Sequence, residues 1–372
     1  MFGRHRLIRL MLLVLAVLLP LEGFAFCTGD FDADGDVDGW NLYQLASGRK
    51  GLTASFFAAD FGRTACPSLP VAPLNQFTIG DSIGEGEAAD NTIGEMHHEA
   101  VWSTGYTAPY IVNSLNVRFE GGEPVGYFEN NSARDATFNQ AESGAVMADF
   151  AAQAGAVVAA AAGDPEVDAA GMVSVLLGNN DVCSAPNIET LRGDPMKDLF
   201  KQQYRAGLDV LAASPATRDA FIHVSAIPAI YWLWIAKRSR PWCRFIWSLP
   251  SFPCQILLDN PLENDCDPEV VDSDLDPDTI YQNDGPICER RKQFHAAIRD
   301  DYNRILSDVL LEYKTDGRLP NAYFVDIFDF PFEDVHVNNG DCFHPSIEGH
   351  DALAEEEWCR SHWGAADPLC GN

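Results

Sequence analysis

The sequence contains few basic residues. Lys and Arg together number 25 against 55 Asp and Glu, so the formal net charge is −30 at neutral pH. A surface this acidic repels polyanions, which argues against binding of nucleic acid or of anionic membranes. The same charge favours solubility and the attraction of cations, and it carries no information about the fold.

The N-terminal apolar run is too short to serve as a membrane anchor. Leu10–Leu19 spans ten residues, whereas a transmembrane helix needs about 20. Three arginines precede this run and a small-residue site ending at Ala25 follows it. This order is typical of a signal peptide, so we predict that residues 1–25 are removed and that the protein is secreted without a stable membrane anchor.

Two common metal-binding patterns are absent, because the sequence holds neither a C-x-x-C pair nor an H-E-x-x-H string. The ten cysteines all follow residue 25, and an even number in an exported chain indicates disulfides. The sequence does not determine their connectivity. Proximity along the chain favours the pairs Cys27–Cys66, Cys243–Cys254, Cys266–Cys288 and Cys359–Cys370.

Residues 30–41 match a twelve-residue calcium loop of the EF-hand type. Oxygen ligands fall at alternate positions, a glycine at position 6 permits the sharp turn, and an apolar residue follows at position 8. The candidate ligands are Asp30, Asp32, Asp34, Asp36 and Asn41. A solvated acidic stretch is the alternative, but the glycine and the spacing match as well as the charge. We therefore expect Ca²⁺ here and no cofactor for catalysis.

This loop resembles a dockerin repeat, with two departures. Position 12 is Asn41 rather than an acidic residue, which weakens the site, and only one loop is present where dockerins carry two. The single loop argues against a cohesin-like partner without excluding one. We assign residues 26–66 to a dockerin-like module, the Pro-rich residues 67–75 to a stiff linker, and residues 76–372 to one large domain.

Within residues 76–372, short β-branched or aromatic runs alternate with helical stretches. Strands are predicted at Gln76–Ile79, Val173–Leu177, Phe221–Ile227 and Tyr323–Phe328, and helices at Ala145–Ala162, Met196–Ala213, Arg290–Tyr313 and Ile347–Arg360. Such alternation predicts an α/β fold with a central parallel sheet covered on both faces. Ligands of such folds bind at the carboxyl ends of the strands.

Four short strings in this domain carry candidate chemistry. They are Gly80-Asp81-Ser82-Ile83-Gly84, Ser143-Gly144-Ala145, Gly178-Asn179-Asn180-Asp181 and Asp341-Cys342-Phe343-His344. Together they supply a serine hydroxyl, two donors for an oxyanion, and an Asp/His pair three residues apart. Acyl transfer from an ester requires this set of groups.

We predict that Ser82 is the nucleophile, that His344 is its general base and that Asp341 orients the imidazole. Taken alone, the string Asp341–His344 also fits a surface turn. Ser346 is the expected N-cap of the last helix. The rigid turn before that helix would hold the imidazole towards the serine.

The predicted oxyanion donors are the backbone N–H of Ser82, Gly144 and the side-chain amide of Asn180. Gly144 is expected to open the Ala-rich helix, where backbone N–H groups are unpaired and the helix dipole favours negative charge. Asn180 follows a predicted strand and therefore lies at the expected functional edge of the sheet.

The first string also fits G-x-S-x-G, the nucleophile elbow of α/β-hydrolases. Its position argues against that fold. An α/β-hydrolase builds several strands before its serine and keeps its acid well separated from its histidine. Here Ser82 follows the first predicted strand of the domain, and the acid lies three residues before the histidine.

The four strings resemble the four sequence blocks of the SGNH, or GDSL-type, esterase and lipase family. The resemblance covers roughly residues 76–372. Ser82 matches the first block, Gly144 the second, Asn180 the third, and Asp341 and His344 the fourth. It implies a flavodoxin-like three-layer α/β/α sandwich and hydrolysis through an acyl-serine intermediate. One departure is in the first block, where the family name records a leucine directly after the serine.

These expectations describe a secreted serine ester hydrolase acting on a small-molecule or lipid ester, with two alternatives left open. The aromatic segment between Tyr231 and Pro253 favours lipid esters, whereas the dockerin-like module favours removal of O-acetyl groups from glycans. The second alternative is a non-catalytic, calcium-dependent binding protein on a degenerate hydrolase fold.

Overall fold

The structure is a computed structural model that describes residues 73, 75–105, 112–119, 138–163, 169–267, 277–361, 363, 364, 367 and 370. The predicted signal peptide, the calcium loop with its five candidate ligands, most of the linker and the pair Cys27–Cys66 lie outside the described residues. Those assignments, and the domain boundaries drawn from them, stay predictions. Residues 72–360 form one compact unit, which contains every site residue discussed below.

Four parallel strands form the central sheet. They are β1 (Gln76–Gly80), β2 (Met172–Leu176), β3 (Phe221–Ser225) and β4 (Ala322–Val325), and they lie side by side in chain order. A parallel bridge between Thr78 and Asn139 continues the pairing beyond β1. The predicted parallel sheet and the three-layer α/β/α fold are confirmed.

The helices connect the strands and cover the sheet. They are α1 (Ser82–Glu85), α2 (Leu115–Phe119), α3 (Phe150–Gly163), α4 (Asn179–Ser184), α5 (Ile188–Leu191), α6 (Asp194–Ala213), α7 (Tyr231–Lys237), α8 (Pro241–Trp247), α9 (Gln255–Leu258), α10 (Pro286–Ala297), α11 (Arg304–Thr315) and α12 (Ile347–Cys359). A π-helical turn, Ile298–Asn303, joins α10 to α11, and 3₁₀ turns occur at His98–Ala100, Met147–Asp149 and Asp334–His336. None of the described helices combines the length and apolar character needed to cross a membrane.

The predicted elements are present, with shifted ends. The predicted Ala-rich helix begins at Phe150, five residues later than expected, and the predicted helix Arg290–Tyr313 is interrupted by the π-helical turn. Ser346 caps α12 as predicted, because its hydroxyl accepts a hydrogen bond from the N–H of Gly349 at 3.0 Å.

The two faces of the sheet differ in polarity. Strand register aligns one row of Thr78, Ser174, His223 and Tyr323 across the sheet, while the rows on either side of it are apolar. The Thr78 hydroxyl donates to Ser103 at 2.8 Å, and the Gln76 amide donates to Ser174 at 2.9 Å. These hydrogen bonds satisfy groups that would otherwise be costly to bury.

The disulfides between described cysteines correct one predicted pair. Cys266–Cys288 is confirmed, but Cys243 pairs with Cys342 and Cys254 pairs with Cys183, so the predicted pair Cys243–Cys254 is wrong. Cys359 and Cys370 are also disulfide-bonded. The correction arises because the fold brings the last predicted sequence block, Asp341–His344, against α8, where the Cα atoms of Cys243 and Cys342 are 5.4 Å apart.

The contact between α3 and α6 depends on a missing side chain. A Cβ at Gly207 of α6 would lie 2.1 Å from the buried ring of Phe150 in α3. We expect Gly207→Ala to lower the free energy of unfolding by about 1–3 kcal/mol, the usual cost of overpacking. The measurement is urea-induced unfolding.

Gly155→Ala in α3 is the matched control, because a Cβ there meets nothing within 4 Å. It should raise the stability by up to about 1 kcal/mol, the difference in helix propensity between alanine and glycine. Equal effects of the two substitutions would show that helix propensity, and not the packing of Phe150, controls the stability at Gly207.

Candidate active site

The carboxyl ends of the strands meet at one pocket. Ser82 follows β1, Asn180 follows β2, Ile230 follows β3 and Phe332 follows β4, and all four line the same cavity. His344 from the turn before α12 lines it too. Of the predicted site residues, Ser82, Asn180 and His344 therefore lie where ligands of a parallel α/β fold bind.

The turn that presents Ser82 is fixed by the preceding residue. Asp81 is the N-cap of α1, and its side chain accepts a hydrogen bond from the N–H of Ile83 at 3.0 Å. Its second carboxylate oxygen accepts a hydrogen bond from the side-chain amide of Asn179 at 2.9 Å. Asp81 is fully buried, so these two bonds lock the strand-to-helix turn on which the serine sits.

A chain of hydrogen bonds joins three of the predicted residues. The Ser82 hydroxyl lies 2.9 Å from Nε2 of His344, and Nδ1 of His344 lies 2.6 Å from Oδ2 of Asp341. With Nδ1 protonated and bonded to the carboxylate, Nε2 is left as the acceptor for the serine hydroxyl. The structure thus brings together residues 262 positions apart in the sequence.

A residue outside the four strings organises the turn that carries this pair. Asn338 is fully buried, and its amide donates to Oδ1 of Asp341 at 2.7 Å. Its side-chain oxygen accepts from the N–H groups of Gly340 and Asp341, each at 2.9 Å. Asp341 Oδ1 also accepts from the N–H groups of Phe343 and His344. Hydrogen bonds other than the one to the imidazole therefore also fix the position of the Asp341 carboxylate.

The same turn is fastened to α8. Cys342, between the acid and the histidine, forms the disulfide with Cys243 and has a left-handed backbone with φ of 56°. The indole N–H of Trp242 donates to the carbonyl of Gly340 at 2.8 Å, and that of Trp247 donates to the carbonyl of Cys342 at 3.2 Å. Helix α8 therefore packs against this turn and stabilises it.

The charges of Asp341 and His344 are coupled. Burial alone would lower the pKa of His344, but the hydrogen bond and charge of Asp341, together with the charge of Glu87, raise it above its ordinary value. Burial likewise opposes ionisation of Asp341, and the hydrogen bond and charge of His344 with two backbone N–H groups hold its pKa below the usual value. Each partner stabilises the charged form of the other.

Two further carboxyl groups beside the pocket are shifted by burial. Burial raises the pKa of Asp81 to about 6, although the hydrogen bonds from Asn179 and Ile83 oppose the shift. Burial also raises the pKa of Asp181 to about 6, against the hydrogen bond that it accepts from the N–H of Met147 at 2.8 Å. Both carboxyls support the backbone around the pocket.

The predicted oxyanion residues lie on two connected segments. The Asn180 amide donates to the carbonyl of Ala145 at 2.9 Å, which ties α4 to the loop containing Gly144. Gly144 does not open a helix as predicted. It lies in a turn with φ of 80°, three residues before the 3₁₀ turn that starts at Met147, and it is exposed. Its positive φ is the conformation that glycine adopts without strain.

Two acidic residues after the nucleophile block were not identified from the sequence. Glu85 accepts a hydrogen bond from the N–H of Ser143 at 2.6 Å, and Glu87 accepts one from the Ser143 hydroxyl. Glu87 Oε2 also lies 3.7 Å from Nε2 of His344. The sequence signal was the Glu85-Gly86-Glu87 string at the end of α1, which does not stand out in an acidic chain.

Most of the other residues that line the pocket are apolar. They are Ile83, Pro228, Ile230, Leu233, Phe332, Phe343 and Pro345. The ring of Phe343 meets that of Phe252 edge-on, with 5.8 Å between centroids. An apolar lining with a few convergent polar groups is the usual composition of a small-molecule site.

Two groups of described side chains bring potential metal ligands together, and neither includes a residue of the pocket. In the first, Cys266 and Cys288 are joined in a disulfide, and Asp284 is paired with Lys292. The second consists of Asp90, Glu95 and His97 in a surface loop.

The parallel α/β fold thus carries the serine turn and the Asp–His turn at one pocket. A model of the GDSL-like lipase/acylhydrolase family matches residues 77–357, and the chain belongs to this family. Membership places the protein among hydrolases of the ester type. Among curated proteins, none matches the chain.

The electrostatic coupling is testable by NMR titration of the histidine rings. We expect the pKa of His344 to lie above about 6.5, the ordinary value for histidine, and to fall in Asp341→Asn because the hydrogen bond and the charge that raise it are removed. His350 is an internal control, since burial lowers its pKa to about 3 and it should stay neutral between pH 5 and 9. An unchanged His344 titration in Asp341→Asn would contradict this account.

Proposed function

We propose that the protein hydrolyses carboxylic esters through an acyl-serine intermediate. The observation that carries the proposal is the uninterrupted hydrogen-bond chain from Ser82 through His344 to Asp341, at the mouth of an apolar pocket. In this arrangement Ser82 is the nucleophile, His344 the general base and Asp341 the residue that orients the imidazole.

In the first step, Ser82 Oγ attacks the ester carbonyl carbon and its proton passes to Nε2 of His344. The tetrahedral intermediate collapses when the bond to the alcohol oxygen breaks and that oxygen takes the proton from Nε2. A water molecule then repeats the sequence on the acyl-serine, and the carboxylic acid leaves. The raised pKa of His344 places the loss of activity on acidification above about 6.5, because only the neutral imidazole accepts the proton.

The oxyanion of the intermediate requires hydrogen-bond donors. The proposed donors are the N–H groups of Ser82 and Gly144 and the amide of Asn180. Neither backbone N–H has an acceptor among the described residues. The Asn180 amide has two hydrogens and gives one to Ala145, which leaves the second for the substrate.

The apolar lining suits the acyl group of an ester, because several aliphatic and aromatic side chains form it. The cavity volume of about 40 Å³ favours a short acyl chain. The described disulfides and the predicted signal peptide support secretion, and a calcium ion in the residue 30–41 loop is a separate proposal.

Covalent labelling with a serine-directed phosphonate tests the proposal. We expect stoichiometric labelling and hydrolysis of p-nitrophenyl butyrate, with both lost in Ser82→Ala. Ser346→Ala is the control for a serine that only caps a helix, and it should retain labelling. Absence of labelling in the native protein would favour the alternative of a non-catalytic binding protein.

Deletion of one oxyanion donor should slow the reaction without removing the nucleophile. We expect Asn180→Ala to lower kcat by about 10²–10³, the usual effect of losing such a donor. The mutant must retain its circular dichroism spectrum, because Asn180 also bonds to Ala145. An unchanged kcat would remove Asn180 from the oxyanion site.

A further inference from the structure

Glu87 lies beside the reacting groups without belonging to the hydrogen-bond chain. Its N–H donates to the carbonyl of Ser82 at 3.0 Å, which fixes the backbone directly behind the serine. Its Oε2 accepts from the Ser143 hydroxyl and lies 3.7 Å from Nε2 of His344. The side chain is 19% exposed. A carboxylate therefore faces the cleft at the nitrogen that exchanges protons with the substrate.

The position of Glu87 near Nε2 of His344 indicates that it faces the alcohol part of a bound ester. In the proposed reaction Nε2 delivers its proton to the departing alcohol oxygen, so that oxygen comes within about 3 Å of Nε2. Glu87 is not among the residues of the apolar pocket, which receives the acyl group. The carboxylate consequently lies on the side of the alcohol.

Structural roles account for only one of the two carboxylate oxygens of Glu87. Oε2 holds Ser143 and approaches His344. Oε1 forms no hydrogen bond or ion pair with any described residue, and no described lysine or arginine pairs with Glu87. An uncompensated negative charge in a half-buried cleft attracts a cation more strongly than one in open solvent does.

We propose that Glu87 is a specificity residue that selects esters whose alcohol part carries a positive charge, such as an ammonium group. This inference rests on the proposed ester hydrolysis and names its substrate class. The acyl half of the substrate meets an apolar wall and the alcohol half meets a carboxylate. The cation also adds a charge beside the imidazolium that forms during the reaction, and Glu87 compensates both.

A pair of isosteric esters isolates the charge. Butyrylcholine and 3,3-dimethylbutyl butyrate have the same acyl group and nearly the same alcohol shape, and only the first carries a charge. We expect the native protein to show a kcat/KM for butyrylcholine at least about tenfold higher, and Glu87→Gln to bring the ratio close to one. The glutamine retains an oxygen that accepts from Ser143. The preference should also weaken as the salt concentration rises.

The ratio of the two kcat/KM values separates recognition of the positive charge from other effects of Glu87→Gln. Glu87 also raises the pKa of His344, but both esters are measured at one pH and share the same base, so that effect cancels. Glu355→Gln is the matched control, because Glu355 is an exposed carboxylate on α12 about 12 Å along the helix from its start. It should leave the ratio unchanged.

A ratio near one in the native protein overturns the inference, and so does a preference for butyrylcholine that survives in Glu87→Gln. Hydrolysis of the neutral ester alone also overturns it while leaving the proposed function intact. If neither ester is cleaved and the phosphonate does not label Ser82, the proposed function itself fails.

Discussion

The site depends on the turn that holds Asp341 and His344 three residues apart and facing Ser82. The carboxylate and the imidazole are separated by only two residues, and here they meet through a turn of the chain. Cys342 adopts a left-handed backbone to achieve this, and Asn338 fastens both ends of the turn. Left-handed conformations are costly for residues other than glycine and persist where the surroundings determine them. Here the disulfide to Cys243 and two indole hydrogen bonds supply those surroundings.

The sheet supplies the complementary constraint. Parallel strands in register bring the ends of β1 and β2 side by side, so the serine turn and the Asn180 turn meet without long loops. Asn179 strengthens this meeting, because its amide bonds to Asp81 across the two strand ends. The pair also explains how a fully buried carboxylate is tolerated at Asp81. Rigidity at the strand ends therefore comes from side chains that do not react.

Local strings in the sequence were sufficient to predict that Ser82, His344 and Asp341 meet at one site, because each of them lies within a short motif. The positions of the strands followed equally well from their β-branched runs. Asn338 and Glu87 could not be assigned, since their roles arise from contacts with residues that are distant in the sequence or unremarkable alone.

The errors have physical causes as well. The Ala-rich stretch favours a helix throughout its length, so composition gave no signal that the segment before Phe150 forms turns instead. The positive φ of Gly144 marks one of those turns. Cysteine pairing failed at Cys243 because the disulfide follows the tertiary contact of α8 with the Asp–His turn, and proximity in the sequence says nothing about that contact.

The negative charge of the chain acts differently at the site than over the rest of the surface. A net charge of −30 creates a diffuse field that attracts cations anywhere on the surface, but salt screens that field beyond about 10 Å. At His344 two carboxylates act at short range instead, Asp341 at 2.6 Å from Nδ1 and Glu87 at 3.7 Å from Nε2. In the proposed reaction the imidazolium is therefore stabilised from both sides, which favours proton abstraction from the serine. In that reaction Glu87 also repels an anionic leaving group, because both carry a negative charge.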